Sequence, residues 1–323
     1  MFSGPSDTFP RLLGDFGGTN ARFALIRSPG APISDIRNFA CADFPGPQDA
    51  AMHYLQATGV RPKRAAVGIA NPVTGDWLQM TNNHWAFSVE VLRQALGLDR
   101  LIFINDFTAL ALSLPHLAPD DLRSIGGGTA VTDAAIGVIG PGTGLGVSGL
   151  VPSASGWIPL QGEGGHVSLS PQTPEEMAVT TFLTQEFGHV SAERVLSGPG
   201  LTSLHRALGK VKEKPAEELD ASQITEAAIC GLDALCVETV TMFCALLGST
   251  AGNLALTLGA RGGVFIGGGI IPRLGKFFDQ SPFRARFEAK GRFQKYLANI
   301  PTKLIIAANP ALTGAAAALD ALP

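Results

Sequence analysis

The chain has 323 residues, 46% of them hydrophobic and 16% charged, with a net charge of −3. That length suits a large core and about two domains, and the weakly acidic balance argues against a nucleic-acid or membrane partner. The opening residues MFSGPSDTFPRLLGD hold no basic segment followed by an apolar one, so no secretory leader is expected and the chain reads as cytoplasmic. Four cysteines, Cys41, Cys230, Cys236 and Cys244, show no CxxC spacing and read as buried, reduced thiols.

Residues 12–26, LLGDFGGTNARFALI, are predicted as strand, glycine turn and strand. Glycine lets a backbone approach a ligand closely, so this turn offers N–H groups, the Thr19 hydroxyl and the Asn20 amide to an anion. Asp15 ends the first strand. A carboxylate beside a phosphate cradle repels phosphate unless a hard cation such as Mg2+ lies between them. Nucleotide chemistry satisfies this pattern, and so does an ordinary hairpin with a surface aspartate. A further strand is expected over 33–44, a helix over 48–56 and a buried strand over 65–70. The polar stretch 71–88 carries two of the three tryptophans, as a ligand cover or as a hairpin anchored by Trp77 and Trp85. Ser88 is a candidate N-cap for a helix over 88–98.

Residues 101–104, LIFI, read as a fully buried strand with Asn105 and Asp106 at its carboxyl end, where open α/β sheets bind ligands. Asp106 is then either a catalytic carboxylate or the cap of the helix beginning at Phe107. Residues 134–150, AAIGVIGPGTGLGVSGL, repeat the strand–glycine turn–strand design. The formal GxGxxG within them is rejected because a strand, not a helix, follows, and no GxxxxGK[ST] occurs. The loop QGEGGH carries Glu163 and His166, and residues 173–176, TPEE, form a complete helix start whose helix ends near Gly188. Glu193 and Arg194 precede LSGPG, as a solvated pair at a helix start or as part of a site. His84, His116, His189 and His205 have no metal-like spacing.

A charged loop is expected over 210–218 and long helices over 224–258. Residues 236–258 could span a membrane by length, but their threonines, serine, asparagine and glycines favour a buried core helix. GGVFIGGGII, residues 262–271, is a strand running into a glycine triplet on which a flat ring can lie. A last strand over 303–307 and a small-residue helix over 309–322 close the chain.

In this order, DFGGTNARFAL, the second glycine turn, GGVFIGGG and the closing helix resemble the actin, hexokinase and Hsp70 ATPase superfamily. More closely, the chain resembles the bacterial glucokinase family of the hexokinase type over residues 12–322. The most specific pieces are GDFGGTNARFAL, NPVTGDWLQMTN, INDFTAL, GPGTGLGV, LQGEGGHV and ERVLSGPG. The related ROK group usually carries a cysteine-rich zinc motif after its Glu-Gly-Gly-His segment. Residues 167–171 hold no cysteine, which implies a zinc-free, non-ROK enzyme.

The resemblance implies an α/β fold of two ribonuclease H-like (actin-like ATPase) domains flanking a cleft. The smaller would take residues 1–112 and 307–323, the larger 113–306. It implies ATP-dependent phosphorylation of D-glucose to glucose 6-phosphate with Mg2+, and a homodimer. Gly14, Asp15, Phe16, Gly17, Gly18 and Thr19 would hold the ATP phosphates, with Asp15 near Mg2+ indirectly. Gly142, Thr143 and Gly144 would form a second phosphate loop, and Gly268 would sit near adenosine. Asp106 would be the general base. Asn105, Asp106, Glu163, His166 and Glu193 match glucose-contacting positions. This set suits a hexose, because carboxylates accept hydrogen bonds while Asn and His can accept or donate. Competing readings are a kinase for another hexose, a sugar-sensing regulator and a chaperone-like ATPase. The last has no need of these five polar residues.

Overall fold

The computed structural model describes residues 8–81 and 83–321; Asn82 and Leu322, which fall within expected elements, lie outside them. The chain divides into two compact units. One comprises the described residues through Leu117, Ser153–Gln161 and those from Ala307 onward; the other comprises Ala118–Pro152 and Gly162–Ile306. Residues 113–117 and 153–161, expected in the larger part, therefore group with the first unit.

The first unit opens with β1 (Arg11–Phe16), β2 (Asn20–Ile26), β3 (Ser34–Ala40), α1 (Pro47–Thr58) and β4 (Arg64–Ile69). It continues with the short hairpin β5 (Trp77–Gln79) and β6 (Ala86–Ser88), then α2 (Val89–Ala95), β7 (Arg100–Asn105) and α3 (Asp106–Ser113). Its main sheet has the order β3-β2-β1-β4-β7. β1 runs antiparallel to β2 and parallel to β4, and β4 is parallel to β7. β1 is central, so both of its faces are covered and its sequence is an almost unbroken apolar run. On one face the Phe16 ring meets Phe23 at 5.2 Å, Trp85 at 5.5 Å and Phe103 at 6.1 Å, all edge-on. Such pairs add to the burial of the rings themselves.

The 71–88 stretch is a hairpin, and of its two tryptophans only Trp85 anchors it: its side chain is fully buried and its Nε1–H donates to the Phe44 carbonyl at 3.1 Å. Trp77 is 65% exposed, against the expectation that both tryptophans anchor. Ser88 caps α2 by accepting from the Val91 N–H at 3.1 Å. In β7 only Phe103 and Ile104 are buried; Leu101 and Ile102 are half-buried, so this outer strand is less enclosed than its apolar run predicts.

The second unit contains β8 (Leu122–Gly126), β9 (Ile136–Pro141) and β10 (Leu145–Ser153), with β11 (Gly156–Leu160) following β10 in the chain. Helices α4 (Pro174–Phe187), α5 (Gly198–Val211), α6 (Ala221–Cys230) and α7 (Ala234–Leu258) come next. Then follow β12 (Val264–Ile266), α8 (Ile270–Leu274), α9 (Lys276–Asp279), α10 (Phe283–Glu288), α11 (Gln294–Ala298) and β13 (Thr302–Ile305). The second sheet has the order β11-β10-β9-β12-β13-β8. Its first five strands repeat the order of the first sheet, and β8 adds an antiparallel edge.

Helix α7 is long and apolar enough to cross a membrane, yet 72% of its most apolar window is buried in the protein, where it is the axis of the core. Thr173 and Glu176 form the expected capping box, and Glu176 is also a buried partner of Arg286, 2.5 Å from its Nη1. The 210–218 segment is not simply a charged loop. α5 runs through Val211, and Lys212 bridges Glu175 at 2.8 Å and Glu238 at 2.6 Å. Cys41, Cys236 and Cys244 are buried as expected, whereas Cys230, at the end of α6, is exposed.

The closing helix α12 (Pro310–Ala321) belongs to the first unit. Leu312, Ala315 and Leu319 cover the second face of its sheet against Leu13, Ala24 and Ala66. α12 also packs against α3 so closely that a Cβ on Gly314 would fall 1.6 Å from the Ala109 carbonyl oxygen. That atom is backbone and cannot swing aside. Gly314→Ala is therefore expected to destabilise the protein by about 1–3 kcal/mol through overpacking. Urea unfolding measures it, and an unchanged midpoint would show that the two helices have room to separate.

Candidate active site

One group of candidate residues lies at the carboxyl ends of β1 and β7 in the first unit. The chain turns from β7 into α3 at Asn105, whose Oδ1 accepts from the Phe107 N–H at 2.9 Å and the Thr108 N–H at 3.2 Å. Asn105 is thus the N-cap. Asp106 is the first helical residue, so the reading of Asp106 as the cap does not hold. One Asp106 oxygen also accepts from the Phe107 N–H at 2.9 Å. Burial pushes the Asp106 carboxyl up to about 6; the Phe107 hydrogen bond opposes this, and the charge of nearby Asp15 adds to it.

The register brings the two carboxylates near each other. Asp15 in β1 lies level with Gly68 in β4, and the next β4 residue, Ile69, lies level with Asn105. A Cβ on Gly68 would stand 3.3 Å from the Ala109 side chain and 3.8 Å from the Asp106 Cα. Glycine there lets the start of α3 close onto the sheet.

Burial also raises the Asp15 carboxyl, and Arg22 counters it with Nη1 at 3.0 Å from Oδ2. Arg22 is directly opposite Asp15 across the β1–β2 hairpin. Sequence reading passed over both Gly68 and Arg22. The hairpin pairing that follows from the Gly17-Gly18 turn could have identified Arg22; Gly68 carries no comparable signal.

In the turn itself, the Gly17 N–H closes onto the Asn20 carbonyl at 2.9 Å, and the Thr19 carbonyl accepts from the Cys41 N–H at 2.9 Å. The Gly18 and Thr19 N–H groups have no partner among the described residues. Gly14 has sheet partners on both sides, Phe23 and Val67, and a Cβ there would meet Val67 at 2.9 Å. The Phe16 side chain is core. Of the six expected phosphate residues, Gly18 and Thr19 have free N–H groups, while Gly14 and Phe16 serve packing.

The second group lies in the second unit, around the turn between β9 and β10. The Gly142 N–H donates to the Gly144 carbonyl at 2.8 Å, and the Gly142 carbonyl accepts from the Gly198 N–H, at the start of α5, at 2.8 Å. Thr143 is exposed, and the Thr143 and Gly144 N–H groups have no partner among the described residues. Gly268 has a φ of 79°, and a Cβ on it would lie 2.2 Å from the Pro141 carbonyl oxygen, so this position requires glycine.

Glu193 meets the same turn: its Oε2 accepts from the Leu145 N–H at 2.8 Å, and its Oε1 is 4.0 Å from His166 Nδ1. Its own N–H donates to the Gly165 carbonyl at 2.9 Å, while Arg194 turns away to lie over the Phe187 ring at 4.7 Å. The two are not a solvated pair. Glu163 begins the single helical turn Gly164–His166, where the His166 N–H donates to its carbonyl at 3.0 Å. The structure thus brings Glu163, His166, Glu193 and residues 142–144 together in one unit, and Asn105, Asp106 and Asp15 together in the other. His84, His189 and His205 make structural hydrogen bonds, to the Phe44 carbonyl, Ser168 and Thr239.

Two sheets of matching strand order, each opening on a strand–glycine turn–strand, define a mixed α/β protein of the sugar-kinase fold. The family model described as Glucokinase matches residues 12–322. The glucokinase of Aromatoleum aromaticum is 54% identical over 322 residues, which is 99% of this chain and 97% of that protein. A crystal structure of glucokinase from an Antarctic psychrotroph superposes with a TM-score of 0.89 at 41% identity, covering 96% of this chain and 98% of that one. The glucokinase from Balamuthia mandrillaris in complex with glucose, at 21% identity and a TM-score of 0.79, shares the fold over 94% of this chain and 92% of that one. The chain belongs to the glucokinase family.

The raised Asp106 carboxyl has a consequence for stability. Its contribution is fully present below about pH 4, the unfolded carboxylate range, and is lost as pH rises through the folded value, because the folded state then holds a buried charge. Asp106→Asn is therefore expected to match the wild-type chain near pH 4 and to exceed it above pH 6 by about 1–3 kcal/mol. Urea unfolding at the two pH values tests this. A variant less stable at neutral pH would mean that the carboxylate is satisfied where it lies.

Proposed function

We propose that this chain transfers the γ-phosphoryl group of ATP to the 6-hydroxyl of glucose, yielding glucose 6-phosphate and ADP, with Asp106 as the general base. Membership of the glucokinase family supports the reaction. The observation that carries the role of Asp106 is its carboxyl, half-buried at the start of α3 and pushed up to about 6 by desolvation. A base is most effective when its proton affinity lies near the working pH. The Asp106 carboxylate accepts the hydroxyl proton as the sugar oxygen bonds to phosphorus and the bond to ADP breaks. The reaction asks the protein chiefly for positioning and charge neutralisation.

The hydrogen bonds already made set the polarity of each sugar contact. The Oδ1 of Asn105 is engaged as a helix cap, so this residue offers its Nδ2 as a donor. The Oε2 of Glu193 is engaged by Leu145, so Oε1 accepts. Glu163, His166 and Asp106 complete the set. A hexose with a misplaced hydroxyl would leave buried groups unpaired, which is the basis for preferring glucose over its epimers.

The free N–H groups of Gly18, Thr19, Thr143 and Gly144 are donors for phosphate oxygens, and Gly268 offers a flat surface for adenine. Asp15 suits a Mg2+ ion held indirectly, together with phosphate, since that ion usually keeps several waters and binds through one or two carboxylates and substrate phosphates. Such an ion would supply charge screening of the phosphates, with Asp15 on its protein side. In this reading each unit is a ribonuclease H-like domain, the two flank the substrate cleft, and the enzyme is a cytoplasmic homodimer.

Glucose-dependent ADP formation tests the activity, and a panel of other hexoses tests the specificity. Excess chelator should abolish turnover; full activity without divalent cation would remove Mg2+ from the scheme. Asp106→Asn should lower turnover about 10²–10⁴-fold with a smaller loss of glucose affinity. Wild-type kcat/KM should fall as pH drops below about 6. A folded variant with near wild-type turnover would reassign the base.

A further inference from the structure

We propose that Glu193 links the sugar subsite to the second glycine turn, so that a bound hexose tightens nucleotide binding through the Glu193–Leu145 hydrogen bond. The proposal rests on the functional reading above and assigns Glu193 a second task within it.

Two of the three hydrogen bonds of this residue lead to the turn or to its support. Its Oε2 accepts from Leu145, the residue directly after the turn, at 2.8 Å. Its carbonyl accepts from the Ser197 hydroxyl at 2.8 Å, and that hydroxyl caps α5 by accepting from the Gly200 N–H at 3.0 Å. The first residue of α5, Gly198, donates to the Gly142 carbonyl at 2.8 Å. The third is its N–H, which holds the Gly165 carbonyl in the loop that carries His166. Glu193 therefore belongs to a ring of hydrogen bonds that closes through the glycine turn.

The loose point in this ring is Oε1. At 4.0 Å its distance to His166 Nδ1 exceeds hydrogen-bond length, and the side chain is 33% exposed. The terminal torsion of a glutamate is broad. A hexose hydroxyl donating to Oε1 would fix that torsion and with it the Oε2–Leu145 contact. The turn then has less freedom to lose when the Thr143 and Gly144 N–H groups take up phosphate, and such ordering couples two ligands without a change of structure. The coupling is reciprocal.

Gly144 gives the means to test it. A Cβ there would lie 2.6 Å from Glu193 Oε2, and its backbone is outside the left-handed region. Alanine at this position is thus expected to displace the carboxylate rather than the chain. A substitution in the nucleotide turn should then be felt at the sugar.

Calorimetric titration of the full chain provides the readout, with glucose alone and with a non-hydrolysable ATP analogue plus Mg2+ at zero and saturating glucose. The wild-type chain should bind the analogue roughly 5–150-fold more tightly with glucose present. Gly144→Ala, shown to be folded by thermal unfolding, should bind glucose several-fold more weakly with no nucleotide present, and its glucose effect on the analogue should shrink toward one. Unchanged glucose affinity in this variant, or a full-sized glucose effect, overturns the proposal.

Glu193 variants give an independent arm. In Glu193→Gln the amide oxygen can still accept from Leu145, so the linkage should persist at reduced glucose affinity. Glu193→Asp, one methylene shorter, should lose it. Equal linkage in the two overturns the proposal as well. A wild-type chain that binds no glucose at all overturns the functional reading beneath it, and that result is distinct from each of the others.

Discussion

Two carboxylates share the carboxyl edge of the first sheet, and the surroundings of the catalytic candidate follow from that constraint. Asp15 and Asp106 are both held where water is scarce, and each finds ionisation harder than it would in solvent. One guanidinium, Arg22, stands against Asp15, and one backbone N–H, from Phe107, stands against Asp106. The balance is uneven: Asp15 has a charged partner, whereas Asp106 has uncharged donors, the Phe107 N–H and the Asn105 side chain among them. Both carboxyls are raised by burial, but Asp15 is countered by a guanidinium while Asp106, next to the Asp15 charge, is pushed up to about 6. Environments that push paired acids apart are how one fold assigns different roles to identical side chains.

Glycine makes both halves possible, for two different reasons. At Gly68, Gly144, Gly165 and Gly314 the issue is space: a Cβ would meet an adjoining helix, a carboxylate or a carbonyl. At Gly268 the backbone is also left-handed. These close approaches bring main-chain atoms and short side chains within hydrogen-bond reach, so the turns are held by the backbone and their remaining N–H groups are left for a ligand. The cost is rigidity of sequence at Gly165, Gly268 and Gly314, where the atom a Cβ would meet is backbone.

Hydrogen bonds within the protein also decide what the polar residues can offer. An isolated Asn can donate or accept, and an isolated Glu has two oxygens that can accept. Once one oxygen of Asn105 caps α3 and one oxygen of Glu193 holds Leu145, each has a single remaining polarity toward a substrate.

Much of this was legible in the sequence by itself. The strands over 12–26 and 134–150, the Ser88 cap and the TPEE helix start are local signals, written in neighbouring residues and read from turn and cap chemistry. The run ending in Asn105-Asp106 was visible for the same reason, as was the rejection of the dinucleotide fingerprint, since β10 continues as a strand. The family motifs were also contiguous stretches.

The tertiary structure decided what depends on residues far apart. Which of Asn105 and Asp106 caps the helix turned on side-chain geometry. Trp77 and Trp85 look alike in sequence, yet only the second is covered, because burial is a property of neighbours. The pairing of Arg22 with Asp15 needed the register, and the contact of Glu193 with Leu145 needed a 48-residue separation to close. Gly68 and Gly314 carry no signal of their own, because the atoms that exclude a side chain there belong to α3, an element placed by packing rather than by local propensity.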